Sequence, residues 1–77
     1  MNSPITRREK EILYLLSRDY TSRELAHQLF ISFETVKSHR KSLNRKLGAK
    51  TTGGLIRRGF ELGILEPGFF QGSKTSR

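Results

Sequence analysis

The chain has no cysteine, no tryptophan, one methionine and two prolines in its 77 residues. Without cysteine there is no disulfide to staple a small fold and no thiolate to hold zinc. The two histidines, His27 and His39, lie in different segments without a carboxylate–histidine cluster, so no metal site is expected. Acids are also scarce: seven Asp and Glu face fifteen Lys and Arg, a formal charge of +8. No run is long and apolar enough to span a bilayer, which takes about 20 residues, and the opening MNSPITRREKEIL lacks the basic-then-apolar order of a secretory signal. A cytoplasmic location follows as the expectation. Catalytic residues are missing in the same way. No nucleophile stands with a base, no paired carboxylates suit a pocket, and no glycine-rich phosphate loop precedes a helix, so we expect neither an enzyme nor a cofactor.

What remains is one small domain. A chain of this size buries only about 60% of the surface its unfolded form exposes, so its core must come from packed helices or from association with another chain. The positive charge calls for a polyanionic partner, either nucleic acid or an anionic membrane surface.

Local signals divide the chain into four helices. Thr6 and Glu9 have capping-box spacing and start the first near Arg7; Ile5 sits ahead of the cap as a hydrophobic staple. Ile12, Leu13, Leu15 and Leu16 give this helix a broad apolar stripe, and it should end around Asp19. Thr21 and Glu24 repeat the signature and open a short second helix with Leu25, Ala26 and Leu29 on one face, closed by Phe30 and Ile31. Ser32 is an N-cap for a third helix running to Leu47, where Gly48 suits a left-handed cap. A fourth runs from about Thr52 to Leu62, carrying Leu55, Ile56 and Phe60, with Gly53 and Gly54 in or near its first turn. Organisation is then a lead over 1–4, a domain over 5–65 and a flexible tail over 66–77, in which Phe69 and Phe70 are the only residues suited to docking. No strand pattern or internal repeat is present.

The third helix carries the functional signal. In ISFETVKSHRKSLNRKLG a run of Lys and Arg follows the single acid Glu34, although a helix made only for solubility would mix both signs. On a 3.6-residue wheel, Val36, His39, Leu43 and Leu47 share one side, while Glu34, Lys37, Ser38, Lys41 and Arg45 share the other. An apolar back and a cationic front suit the major groove, where Lys and Arg meet phosphates and guanine edges and Ser38 leaves room for close approach. The alternative is a solvated basic face with no partner. Arg40 lies nearer the apolar side, so its stem should pack while its head reaches the rim or a phosphate. His39 is either a packing residue or a DNA contact. A short helix, a turn and a longer basic helix form the helix-turn-helix order. Thr21, Ser22 and Arg23 then stand at the second helix's N-terminus, where a phosphate is favoured, although Thr21 serves equally as a cap.

These residues also carry a family likeness. TRREKEIL, TSRELAHQLFIS, TVKSHR and KLGA, in this order and spacing, resemble the LuxR-type (FixJ/NarL/GerE-like) helix-turn-helix domain over residues 5–65, and GLIRRGFELGIL resembles its fourth helix. The resemblance implies an all-α, four-helix DNA-binding domain of a bacterial transcription regulator. It implies binding to double-stranded operator DNA as a homodimer through the fourth helix, with base-reading positions at Lys37, Ser38 and Lys41. The family often has asparagine where this chain has Ser42 and arginine where it has Thr52. Members often carry a receiver or ligand-sensing domain ahead, so the chain reads either as a single-domain regulator or as the output domain of a response regulator.

The DNA-binding set expected is therefore Thr21, Ser22, Arg23, Glu34, Lys37, Ser38, Arg40, Lys41 and Arg45, and the dimer set Leu55, Gly59 and Leu62. The gap at Gly59 fits either a dimer seam or packing against the chain's own first helix. Two other classes compete. A module that touches RNA polymerase would show acidic or apolar residues where Lys37, Lys41 and Arg45 stand, which leaves such a contact as an addition. A membrane-surface helix would need a wider apolar stripe with bulky aromatics.

Overall fold

The computed structural model describes residues 5–66. The lead over 1–4 and the tail from residue 67 onward, with Phe69 and Phe70, lie outside the described residues. Four helices follow in order: α1 (Arg7–Ser17), α2 (Ser22–Leu29), α3 (Phe33–Leu47) and α4 (Thr52–Glu61). No strand occurs among the described residues, and the all-α four-helix class read from the sequence is what forms.

Caps set the boundaries. Both capping boxes close, each threonine hydroxyl accepting from the N3 backbone N–H while the N3 glutamate accepts from the threonine N–H, over 2.8–3.1 Å. The hydroxyl of Ser32 accepts from the Thr35 N–H, and that of Thr51, which the sequence reading passed over, accepts from the Gly54 N–H. α1 stops two residues before the expected Asp19, which instead adopts a left-handed turn at φ 74°. Gly48 ends α3 at φ +68°, a conformation in which any Cβ is strained. Phe30 ends α2 with φ 58°, an unusual conformation for a bulky residue, and stands 92% exposed.

The core is aliphatic: Ile12, Leu13 and Leu16 of α1, Leu25 of α2, Val36, Leu43 and Leu47 of α3, Leu55 of α4, and Leu65. α1 touches the other three helices, and α3 packs against both α2 and α4. Ile5 packs on this core and not as a staple, because the position one turn on that a staple would need is Lys10.

Two polar ties fix α3 within the bundle. Glu9, 4% exposed, accepts from Lys46 Nζ at 2.8 Å and from the Ser42 hydroxyl at 2.7 Å, joining the start of α1 to the end of α3. Burial alone would raise the Glu9 carboxyl, but the bonds from Lys46, the Thr6 N–H and Ser42 outweigh it and lower the pKa from 4.5 to about 2. At the middle of α3, the Arg40 guanidinium donates to the Ser22 hydroxyl of α2 at 2.7 Å and to the Thr52 hydroxyl of α4.

Candidate nucleic-acid interface

α3 turns one side inward and leaves the other to solvent. Val36 and Leu43 are fully enclosed and Leu47 nearly so, whereas Glu34, Lys37, Ser38, Lys41 and Arg45 are all exposed. His39 and Arg40 lie between, half-buried. The helical period produces this division, and the ties through Glu9 and Arg40 hold it at one rotation.

The outward side has little internal charge compensation. Lys37 Nζ lies 3.4 Å from Glu34 Oε1, a pair well exposed on both sides, while neither Lys41 nor Arg45 has an ion-pair partner among the described residues. Lys37, Arg40, Lys41 and Asn44 line a shallow groove along the helix. Lys46, part of the same basic run, is instead consumed by Glu9 inside the fold.

The residues expected at the start of α2 are brought beside this face. Thr21 is engaged as a cap, and the Ser22 hydroxyl accepts from Arg40, so neither hydroxyl is idle. Arg40 therefore does not project from the rim: its head is turned inward onto two hydroxyls because the half-buried site offers acceptors from both neighbouring helices. Arg23 is exposed, with its guanidinium carbon 4.5 Å from the centre of the Phe33 ring.

Sequence reasoning missed Phe33. The ring heads α3 and also lies 5.2 Å from Lys37 Nζ. An aromatic four residues before a lysine was a readable signal for that contact. Its contact with Arg23 crosses between helices and had no local signal.

The dimer set needs correction. Leu55 is fully buried, and Gly59 is enclosed by its own subunit: a Cβ there would come within 2.8 Å of Leu65 Cδ1 and 3.1 Å of Leu13 Cδ2. The missing side chain serves close packing inside the chain. Of the three, only Leu62 faces outward, at 50% exposure. Elsewhere on α4, Gly53, Arg57 and Glu61 are exposed, whereas Ile56 and Phe60 are half-buried and pack against the core.

Comparisons with known proteins identify the family. The family model for bacterial regulatory proteins of the luxR family matches residues 3–58. The chain is 42% identical over 64 residues to the transcriptional regulatory protein MctR of Rhizobium johnstonii, covering 83% of this chain and 30% of that one. It is 46% identical over 46 residues to the spore germination protein GerE of Bacillus subtilis, covering 60% and 62%. With the oxygen regulatory protein NreC of Staphylococcus aureus it shares 36% over 62 residues, 80% and 29% of the two chains. The crystal structure of ChrA, a response regulator of a heme-sensing two-component system, superposes with a TM-score of 0.82 at 32% identity, over 84% of this chain and 32% of that one. The chain thus spans less than a third of MctR and NreC and under two thirds of GerE. These relatives are regulators and not enzymes, and among the described residues no helix is long and apolar enough to cross a membrane. From the match over residues 3–58 and the helix-turn-helix that those residues build, the chain belongs to the luxR family of bacterial regulatory proteins, as a DNA-binding domain.

Proposed function

We propose that this domain regulates transcription in the bacterial cytoplasm by reading double-stranded operator DNA, with α3 in the major groove and two copies paired through α4. The observation that carries the reading is the sidedness of α3. Its inward residues are spent on the core, and apart from Glu34 in the first turn its outward side is cationic or small, with Lys41 and Arg45 lacking a carboxylate partner among the described residues. Lys37, Ser38 and Lys41 are assigned to base edges, and Arg45 to phosphate. Ser22 and Arg23, at the head of α2, meet the flanking backbone through their N–H groups and the Arg23 side chain. Thr21 and Arg40 act from behind this surface, one as the cap and the other as the tie that sets α2 against α3. The pairing surface is the exposed side of α4 around Arg57, continued by Leu62 just past the helix end. A contact with RNA polymerase would be additional to this surface.

Selection of bound duplexes from a random pool at low and high salt tests the proposal. A two-fold symmetric site that survives high salt is the expected result. Binding that yields no motif and vanishes with salt would leave only general attraction to polyanions.

A further inference from the structure

We infer that Phe33 is a positioning residue for DNA reading: its ring holds Arg23 of α2 and Lys37 of α3 in one arrangement before DNA arrives. The inference rests on the proposed DNA-binding function and goes beyond it in naming a residue that the reading surface depends on but that carries no charge itself. Both cations lie within the distance at which a ring face attracts them, 4.5 Å for the Arg23 guanidinium carbon and 5.2 Å for Lys37 Nζ. They come from different helices. Drawing two like charges onto one ring is unfavourable in itself, and Glu34, the carboxylate 3.4 Å from Lys37, is highly exposed. The cluster therefore carries net positive charge at the entrance of α3, and a polyanion laid across it relieves the repulsion.

The chemistry of ordering gives the ring its role. Lysine and arginine have the most rotamer freedom of the side chains, and a surface that must fix them during binding loses affinity accordingly. Lys37 is bracketed by Phe33 one turn behind it and by Glu34, so its ammonium is kept over the first turn of α3. Arg23 is held on the same ring, which ties the phosphate-facing end of α2 to the base-facing start of α3. Phe33 is half-buried and outside the core cluster, so it can be changed without opening the core.

The test uses the whole chain and the duplex selected by the parent protein. Phe33→Leu keeps an apolar side chain without a ring face, and Phe33→Trp restores a ring face. We expect Phe33→Leu to weaken binding to the selected site about three- to tenfold, the worth of one or two such contacts, and Phe33→Trp to bind within about twofold of the parent. In Arg23→Met and Lys37→Met backgrounds the Phe33→Leu loss should shrink, because the cation that the ring positions is gone. A Phe33→Leu variant that binds like the parent would overturn the inference. So would a loss that is the same in all backgrounds, or one that Phe33→Trp shares, since either marks simple packing. Helical content and melting temperature, followed in parallel, identify any variant that loses binding by unfolding; if Phe33→Leu does so, the coupling is read instead from Phe33→Met, which also lacks a ring face. Failure of the parent to select any duplex would count against the DNA-reading function and is seen before any Phe33 variant is made.

Discussion

At the scale of single residues, Glu9 is the one polar or charged side chain buried among the described residues. Its carboxylate is buried and takes bonds from Thr6, Ser42 and Lys46. The folded pKa near 2 lies below the ordinary 4.5, so its stabilisation is complete above about pH 4.5 and is lost as pH falls towards 2, to a limit of about 3 kcal/mol. Urea denaturation at pH 7 and pH 3 should show about 2 kcal/mol of that loss. Lys46→Met should cost about 3 kcal/mol or more at pH 7 by leaving the carboxylate buried without its cation, and adding Glu9→Gln should recover part of it. Equal urea midpoints for Lys46→Met and the parent would show that the pair does not stabilise the fold. On the outward face the expectation concerns discrimination. Lys41→Ala should weaken the selected site more than random duplex, by the roughly 1–3 kcal/mol of a base contact, as measured by competition binding. Equal losses on both DNAs would place Lys41 on phosphate alone.

At the scale of helices, what could be read from the sequence was local. Thr6 with Glu9, Thr21 with Glu24, Ser32 and Gly48 act within four residues of themselves, and each stands where its pattern put it. Relations across the chain left no comparable trace: Glu9 and Lys46 are 37 positions apart, and Arg40 meets Thr52 and Ser22 from the middle of another helix. α4 shows the difference best. Periodicity puts Leu55 and Gly59 on one face, but it cannot say whether that face looks at the chain's own α1 or at a second copy. Packing decides for α1, through Leu13 and Leu65. Variants at the buried Leu55 and the exposed Leu62 should therefore part company. Leu55→Glu buries a charge in the core and should unfold the chain. Leu62→Glu, at the exposed C-cap of α4, should leave it helical while lowering affinity for a symmetric site, with sedimentation showing the loss of the paired species. A monomeric parent at working concentration on DNA, or parental affinity in Leu62→Glu, would rule out pairing through this face.

At the scale of the whole molecule, the charge of +8 sets how binding responds to salt. Neutralising about four phosphates should make binding to random duplex fall roughly a hundredfold between 50 and 200 mM salt. A flat response would mean that the basic face is solvated and has no polyanionic partner. Composition points to such a dependence, and the helical wheel separates the cationic side of α3 from its core side. The wheel could not reveal how much of the charge is withheld. Lys46 is neutralised inside the fold and the Arg40 head is turned inward, so the surface offered to DNA is smaller and more specific than the count of basic residues suggests.

The inward-turned Arg40 has a further consequence. One guanidinium bonds α2, α3 and α4 together, and Glu9 joins α1 to the far end of α3. α3 thus has no independent way to fray: its release breaks contacts with all three other helices at once. Partial opening and global unfolding become nearly the same event, and a molecule of this build spends its time either fully competent or fully undone.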